Sequence, residues 1–220
     1  MMELKDSPYT LDEIKEKRKI KSFLCERNIK NLYHFTDICN LDNILLNGII
    51  AREFLNNQFI AYEYNDKMRL EKKLDYNCIS IGFPNYKMFY KCRSNKPQAS
   101  WCVIELDSKI LYEKECLFCI ENAASTNETR RNKNDKTGVD GLRRLYYDDF
   151  LREQLDITID MPTNPQAEVL VYKEIETKYI KKIYFNNYDD NYNKYKNRIT
   201  AEVNEKYFKY RSDYAYWQKG

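Results

Sequence analysis

The only histidine of the chain lies in a short segment whose pattern predicts a strand. His34 stands in the run Leu-Tyr-His-Phe-Thr, and Thr36 follows two positions later. Because side chains alternate along a strand, His34 and Thr36 point to the same face. Any nucleophilic Cys–His pair in this chain would have to use His34. A histidine that only satisfies hydrogen bonds inside the fold is the other interpretation of this local pattern.

A second candidate for chemistry is Glu168, which stands inside an apolar segment. Residues 166–172 are predicted to form a strand, in which Ala167, Val169 and Val171 share the face opposite to Glu168. A carboxylate on a half-buried strand is costly unless a partner holds it. Glu168 is therefore a candidate catalytic carboxylate. The alternative is a glutamate on an edge strand that points to water.

The composition narrows the chemistry that remains. With five glycines the chain has neither a P-loop nor a G-x-G-x-x-G segment, which argues against Walker-type hydrolysis and Rossmann dehydrogenases. One histidine argues against histidine-based metal sites, and no metal is expected. Cys116 and Cys119 form a lone C-x-x-C in an apolar run, which favours buried strand cysteines over a zinc or redox site. What is left is chemistry by a carboxylate, an arginine and the lone histidine.

The elements that would position these residues alternate irregularly along the chain. Apolar spacing predicts helices over residues 11–27, 41–47, 66–73, 85–91 and 138–154, and strands over residues 31–34, 78–81, 101–106, 116–120, 166–172 and 179–185. The polar residues 123–137 predict an exposed loop, and the charged, tyrosine-rich residues 188–217 predict one or two helices. This irregular order predicts the α+β fold class and not a doubly wound parallel sheet.

Length, charge and cysteine content bound the class of protein. The 220 residues fit one domain with or without a terminal extension, and 43% hydrophobic with 32% charged residues is an ordinary globular balance. A formal charge of +3 is low for a domain that binds duplex DNA through phosphates, but it is compatible with a short single strand in a local groove. Seven cysteines, no apolar leader and no run of membrane length predict a reduced, cytoplasmic location without a membrane partner.

Two clusters taken together resemble a known family. The Tyr-His-Phe-Thr of residues 33–36, followed by Asn40 and an apolar run up to Gly48, is similar to the NAD-binding signature of the DarT-type DNA ADP-ribosyltransferases. The Gln-Ala-Glu-Val-Leu-Val of residues 166–171 resembles the catalytic glutamate strand of that family. Between them, the Asp-Lys-Met-Arg of residues 66–69 also matches.

The resemblance covers about residues 28–187 and implies an organisation for the chain. It implies an ADP-ribosyltransferase domain with split, twisted antiparallel β-sheets flanked by helices. A helical segment over residues 1–27 would precede this domain, and a tyrosine-rich helical extension over residues 188–220 would pack on it. NAD⁺ would be a substrate bound without a Rossmann glycine loop, and the acceptor would be thymine or guanine in single-stranded DNA. The family also implies a toxin with an antitoxin that removes the modification or binds the toxin.

The same resemblance implies roles for five residues. Glu168 would stabilise the positive charge that grows on the ribose as its bond to nicotinamide breaks, and it could accept a proton from the attacking base. Arg69 would act on the pyrophosphate or the substrate electrostatically, because a guanidinium is almost always protonated. His34 and Thr36 would bind a ribose of the dinucleotide. Asn40 would secure the local loop or contact the dinucleotide.

Aromatic and basic residues complete the predicted site. Phe83 and Phe89 are candidates for stacking on nicotinamide or on a target base, with core packing as the alternative. Four residues ahead of the glutamate are assigned to the nucleic acid, arginines for phosphates and tyrosines for bases: Arg143, Arg144, Tyr146 and Tyr147. The alternative for these four is an amphipathic helix facing solvent.

Two other functions fit the same sequence. An ADP-ribosyltransferase that acts on RNA or protein would share the cleft and the glutamate, and only its acceptor loop would differ. A non-enzymatic nucleic-acid-binding protein is the second alternative. Its support is the aromatic tail, which could dock a strand or a protein partner: Tyr207, Tyr210, Tyr214, Tyr216 and Trp217.

Overall fold

The computed structural model describes residues 10–57, 62–63 and 73–218. Its α-helices are α1 Leu11–Glu26, α2 Leu41–Asn47, α3 Arg52–Asn57, α4 Tyr86–Asn95, α5 Ile110–Glu113, α6 Thr126–Arg130, α7 Gly138–Arg143, α8 Asp149–Gln154, α9 Asp190–Tyr195 and α10 Tyr214–Trp217. Its strands are β1 Asn31–Asp37, β2 Ile49–Ile50, β3 Tyr76–Ile81, β4 Trp101–Asp107, β5 Cys116–Cys119, β6 Glu168–Tyr172, β7 Glu174–Ile175, β8 Ile180–Phe185 and β9 Ala201–Val203. The predicted helix over residues 66–73 lies, apart from Lys73, outside the described residues.

The main sheet is split between strands β1 and β3. Its order is β5-β6-β3-β1-β4-β8-β9, and every neighbouring pair is antiparallel except β8 and β9. Strand β3 pairs with β6 through Tyr76 to Ile79, but it pairs with β1 only at Ser80 and Ile81. The two halves therefore separate beyond Ser80. The predicted α+β class with a split sheet is confirmed, with the parallel strand β9 as an addition that makes the sheet mixed.

Apolar side chains pack on both faces of this sheet. Helix α1, which begins with a capping box between Thr10 and Glu13, packs against α5 and α7 and contributes Ile20, Phe23 and Leu24 to the larger core. A second, aromatic cluster lies on the other face, and it includes Tyr33, Phe89, Trp101, Tyr184 and Phe208. Leu24 and Tyr195, which lie beyond the predicted boundaries at residues 27 and 187, belong to the same larger core, and that division of the chain stays a prediction.

Most of residues 123–137 are exposed, as predicted, but the segment is not a plain loop, and Ala123, Glu128 and Lys136 are buried. It forms α6 and a 3-10 helix, and Glu128 and Lys136 are 2% and 5% exposed. Glu128 accepts the backbone N–H of Ile120 at 2.8 Å and pairs with Arg131 at 2.6 Å and Lys136 at 3.1 Å. A polar composition predicts exposure, but charges can be buried where opposite charges and hydrogen bonds compensate them.

Two helical predictions also need correction. Residues 138–154 do not form one helix, because Asp148 has a left-handed backbone with φ of 55° and caps a separate helix, α8. Residues 188–217 are not simply helical, since Ala201–Val203 adds strand β9 to the sheet. Beyond β9, the ring of Tyr207 lies 4.3 Å from that of Tyr184 and fixes this segment against the aromatic cluster.

No helix among the described residues has the length and apolar character to cross a membrane.

Gly48 ends helix α2 as predicted, and its substitution should destabilise the protein. Its φ is +83°, and an added Cβ would lie 2.4 Å from the carbonyl oxygen of Ile175. We expect Gly48→Ala to lower the free energy of unfolding by about 2 kcal/mol or more, measured by urea denaturation. Asn47→Ala, one exposed position earlier, is the matched control and should change stability little. Equal unfolding midpoints for the Gly48 variant and the natural chain would contradict this reasoning.

Candidate active site

A cleft opens where β1 and β3 separate. Its walls come from β1, α2, β3, the first turn of α4 and the start of β6. Both His34 and Glu168 line this cleft, although 134 positions separate them in the sequence. His34 belongs to the half of the sheet that contains β4, and Glu168 to the half that contains β5. The split therefore brings the two predicted residues to one site.

Glu168 is held firmly in the cleft wall. It begins β6, which lies between β3 and β5, and it is 7% exposed. Its Oε1 accepts a hydrogen bond from Asn85 Nδ2 at 3.1 Å, and its Oε2 accepts one from the backbone N–H of Ala123 at 2.9 Å. The alternative of an edge-strand glutamate that points to water is excluded. Donors on both oxygens fix the direction of the carboxylate before any substrate binds.

Asn85 is a functional residue that the sequence analysis missed. Its side chain is 1% exposed and does two things, since Nδ2 binds Glu168 while Oδ1 accepts the backbone N–H of Met88 at 3.1 Å and caps α4. Its own backbone N–H donates to Ser80 Oγ at 3.0 Å. The available signal was an asparagine directly before an apolar helix, which is typical of an N-cap. That signal predicts the cap but not the contact with Glu168.

His34 bridges the split in the sheet. Its Nδ1 lies 2.9 Å from the carbonyl oxygen of Cys78 on β3, just where the backbone pairing of β1 and β3 has ended. A carbonyl only accepts, so Nδ1 carries the proton, and Nε2 of a neutral ring is then an acceptor. This hydrogen bond satisfies the structural interpretation of His34 in part. The ring nevertheless remains on the cleft wall, with a defined acceptor nitrogen.

Thr36 and Asn40 connect the cleft to residue 63. Asn40 Nδ2 donates to Thr36 Oγ1 at 3.1 Å and to the carbonyl of Glu63 at 2.9 Å. Its Oδ1 accepts the backbone N–H of Glu63 at 2.8 Å. Both residues line the cleft, as does Glu63. Asn40 thus secures a neighbouring chain segment, which is one of the two roles that the sequence analysis gave it.

We had expected Phe83 and Phe89 to stack on a substrate in the cleft. The structure places both outside the cleft lining. They are 5% and 1% exposed. The ring of Phe89 stacks on Phe35 with centroids 4.6 Å apart and also contacts Trp101 and Phe208. Their burial in the apolar packing of the sheet explains their position, and core packing was the alternative considered for both.

The four residues assigned to nucleic acid do not line the cleft either. Tyr146 is 6% exposed, and its hydroxyl donates to the carbonyl of Asp160 at 2.9 Å, so its ring is not accessible for stacking. Arg143 and Arg144 are exposed and lie 3.8 Å from Asp140 and 3.4 Å from Asp135, respectively. Tyr147 is 38% exposed. Of the four, three therefore remain accessible to a ligand.

Arg69, the predicted catalytic arginine, lies outside the described residues. The structure adds a different arginine, because Arg52 at the start of α3 lines the cleft. Among the lining residues that the structure describes, Arg52 is the only lysine or arginine. Sequence reasoning missed it, since an isolated Arg after the short strand β2 has no distinguishing motif. Arg52 gives the described part of the cleft wall a positive charge, which attracts an anionic group of a ligand.

Two buried arginines fix the loop that leads into Glu168. Arg152 donates from Nη1 to the carbonyl of Met161 at 2.8 Å, and Arg211 donates to the carbonyls of Pro162 and Thr163, both at 2.8 Å. Arg211 is neutralised by Asp213, which also accepts the indole N–H of Trp217. The C-terminal segment therefore holds the backbone just ahead of strand β6.

No two of the seven cysteines form a disulfide, and the two of the C-x-x-C motif lie in the core as neutral thiols. All seven are free, and Cys116 and Cys119 are buried in β5, as predicted. Burial raises the pKa of both thiols to about 12, so they stay protonated at neutral pH. Within the described parts of the chain, no group of three or more His, Cys, Asp or Glu side chains is placed to hold a metal ion.

Several solved structures share the fold of this chain. The chain is similar to "Thermosipho africanus DarTG in complex with ADP-ribose", with a TM-score of 0.56, 18% identity, and coverage of 81% of this chain and 51% of that one. It is also similar to "Thermus sp. 2.9 DarT in complex with NAD+", with a TM-score of 0.55, 14% identity, and coverage of 81% and 97%. At these identities the likeness shows the fold.

The family follows from the sequence. A family model described as "ssDNA thymidine ADP-ribosyltransferase, DarT" matches residues 33–216, and the chain belongs to that family. A third solved structure, "Thermus sp. 2.9 DarT in complex with ADP-ribosylated ssDNA", has a TM-score of 0.52, 14% identity, and coverage of 81% and 96%. No curated protein sequence matches the chain. The chain spans about half the length of the Thermosipho protein.

Proposed function

We propose that this protein transfers ADP-ribose from NAD⁺ to a thymine base of single-stranded DNA. The observation that carries the proposal is the meeting of His34 and Glu168 in one cleft of a chain that matches the DarT family model. The Thermus structures, with NAD⁺ and with ADP-ribosylated single-stranded DNA, support the same substrates. Their titles describe those proteins, and the reaction is carried to this chain as a proposal.

In the first half of the reaction, Glu168 stabilises the transition state in which the bond to nicotinamide breaks. The glycosidic bond from C1 of the ribose to nicotinamide breaks, and nicotinamide leaves with the bonding electron pair as a neutral molecule. Positive charge then develops on the ribose, as in glycoside hydrolysis. The carboxylate of Glu168, already oriented by Asn85 and Ala123, offers a preorganised negative charge to that state.

His34 and Thr36 bind a ribose of NAD⁺. With its Nδ1 proton donated to Cys78, the neutral imidazole of His34 presents Nε2 as an acceptor for a ribose hydroxyl. Thr36 lies two residues along β1 and also lines the cleft. This pairing explains why an imidazole that already makes a structural hydrogen bond stands on a cleft wall.

The acceptor chemistry explains the choice of single-stranded DNA. In thymidine, N1 carries the sugar, so N3 is the only ring nitrogen with a proton. N3 forms the new bond to C1 of the ribose, and its proton passes to Glu168 and then to solvent. In duplex DNA that N3–H is used in base pairing and lies inside the stack, whereas a single strand exposes it.

We assign the phosphates of NAD⁺ to Arg69, on the family resemblance, and to Arg52, on its position in the cleft. Arg52→Gln is expected to raise the KM for NAD⁺ about tenfold with little change in kcat, because a charged hydrogen bond to the ground state is lost. Steady-state kinetics at saturating DNA would measure this. Arg18→Gln, on the exposed part of α1, is the matched control. An unchanged KM for the Arg52 variant would remove Arg52 from the site.

Arg143, Arg144 and Tyr147 remain our proposed contacts on the DNA side. Burial raises the pKa of the Tyr147 phenol, and the nearby carboxylate of Glu121 raises it further. Asn122, the residue after Glu121, lines the cleft. Each arginine already faces an exposed aspartate, so its additional attraction for a phosphate is small. Of the three residues, Tyr147 is therefore the best-supported candidate for a contact with DNA.

The family and the relative named DarTG support a biological setting for the reaction. We propose that the protein is a toxin of a toxin–antitoxin pair, with a partner protein that reverses the modification or binds the toxin. We propose a cytoplasmic location, in keeping with seven free thiols. A role in phage defence fits a toxin that modifies DNA.

The proposal is tested by mass spectrometry of defined oligonucleotides after reaction with NAD⁺. A single-stranded oligonucleotide with one thymine should gain one ADP-ribosyl group and release one nicotinamide. The same oligonucleotide without thymine, its duplex form, an RNA of matching sequence and a protein pool serve as parallel substrates. Preferential labelling of guanine, RNA or protein would show that thymine is not the acceptor. The absence of any NAD⁺ consumption would favour a non-enzymatic binding protein.

A further inference from the structure

Four tyrosines form an aromatic surface between α4 and the C-terminal segment. We call Tyr86, Tyr90, Tyr210 and Tyr214 the tyrosine platform. The rings of Tyr210 and Tyr214 are stacked, with centroids 4.0 Å apart and planes at 11°. Tyr86 meets both rings edge-on, and Tyr90 lies 6.3 Å from Tyr210. Tyr90 and Tyr210 are 53% and 46% exposed, so the platform reaches solvent.

Helix α4 joins the platform to the cleft. Its N-cap Asn85 and its residues Met88 and Cys92 line the cleft, at the spacing of one helical face. Tyr86 and Tyr90, four positions apart, lie on another face of the same helix. The platform is thus separated from the cleft by about one helix diameter, ~10–12 Å. A ligand that leaves the cleft across the start of α4 arrives at these rings.

The charges around the platform suit a polyanion. Helix α4 carries Lys87, Lys91 and Arg93 and no acidic residue. In the C-terminal segment the carboxylate of Asp213 is buried and paired with Arg211. Burial raises the pKa of Tyr86 to about 12 and also raises that of Tyr210, so these two phenols carry no negative charge at neutral pH.

The platform is rigid, which favours recognition of flexible ligands. Arg93 donates to the carbonyl of Phe208 at 2.9 Å, and Lys87 donates to the carbonyl of Trp217 at 2.5 Å, so two residues of α4 tie down the C-terminal segment. Stacked rings that are already fixed lose little conformational freedom when a ligand binds. Exposed aromatic groups with cations beside them are the elements of a single-strand binding site.

We propose that the tyrosine platform stacks bases of the same DNA strand whose reactive thymine occupies the cleft. This inference rests on the proposed function and extends it to the length of strand that the enzyme binds. Stacking requires only the face of a base, so the platform adds affinity without reading sequence. Lys91, which is exposed on α4, contacts a phosphate of the strand.

The test compares DNA strands of two lengths. Fluorescence anisotropy without NAD⁺ measures the affinity of the full chain for labelled oligothymidylates of about four and about twelve nucleotides. The double variant Tyr90→Ala with Tyr210→Ala is expected to bind the long strand about tenfold more weakly and the short strand as before. Tyr90→Phe with Tyr210→Phe retains the rings and should bind both strands like the natural chain.

Tyr188→Ala is the matched control, since Tyr188 is 77% exposed and contacts Tyr192 and no platform ring. Lys91→Ala should lower the slope of log affinity against log salt by about 0.7 for the long strand only. Unchanged affinity of the double alanine variant for the long strand, or an equal loss on both lengths, would overturn the platform. Thymine modification by the natural chain would then still stand. If the natural chain modifies no single-stranded DNA, the proposed function fails first.

Discussion

Glu168→Gln is expected to reduce the rate of ADP-ribosyl transfer by about two to three orders of magnitude. Glutamine has the shape of glutamate, and its carbonyl oxygen can still accept a hydrogen bond from Asn85 or Ala123. What the variant lacks is the negative charge that opposes the developing charge on the ribose. The loss should therefore appear in kcat with single-stranded DNA, while the affinity for NAD⁺ changes much less.

The matched control for this experiment is Glu174→Gln. Glu174 lies on the two-residue strand β7, and its side chain is exposed. The same change of charge there should leave kcat within about twofold of the natural value, in keeping with a surface site. A Glu168→Gln enzyme with kcat within tenfold of the natural value would show that another group stabilises the transition state.

Asn85→Asp is expected to impair catalysis while it leaves the fold intact. Aspartate caps a helix as well as asparagine does, so α4 keeps its N-cap. The new carboxylate would replace a donor that lies 3.1 Å from Oε1 of Glu168, and like charges at that distance raise the pKa of the pair. The two carboxylates then share one proton in a pH range where a lone glutamate would be ionised. We expect about a tenfold loss of kcat at neutral pH, which requires the pair to hold its shared proton with a pKa of about 8.

The pH profile separates this effect from a general structural defect. Below the raised pKa the pair holds a proton and Glu168 loses charge, so the deficit relative to the natural enzyme should shrink as the pH rises. Asn132→Asp makes the same change at an exposed N-cap outside the cleft and should be silent. Asn85→Ala, which removes the cap, should cost about 1 kcal/mol of stability. A deficit for Asn85→Asp that is constant with pH would contradict the assignment of charge repulsion.

Local periodicity predicted the strands that carry His34 and Glu168, but not that the two residues meet in one cleft. The alternation of apolar residues around His34 and Glu168 identified both strands, and the side-chain period of two placed Thr36 on the face of His34. These relations need only neighbours in sequence. That the two strands belong to separate halves of one sheet came from the family resemblance, because no local pattern specifies which strands pair.

The residues that were missed act through distant partners. Asn85 was predictable as a helix cap, but its bond to Glu168 joins positions 83 residues apart. Glu128 and Lys136 have polar side chains that predict exposure, and only the fold brings Ile120 and Arg131 beside Glu128. For the same reason Tyr146 and Tyr147, adjacent in sequence, differ in access. One ring fills the core and the other lies partly in solvent.

The contacts of Arg211 with Pro162 and Thr163 have a consequence for how activity arises during translation. The strand that carries Glu168 leaves the ribosome before Arg211, Asp213 and Trp217, which are needed to fix the loop ahead of it. A nascent chain is therefore expected to remain catalytically silent until the segment that carries Arg211, Asp213 and Trp217 has been made. Such timing would spare the genome of the producing cell from incomplete translation products.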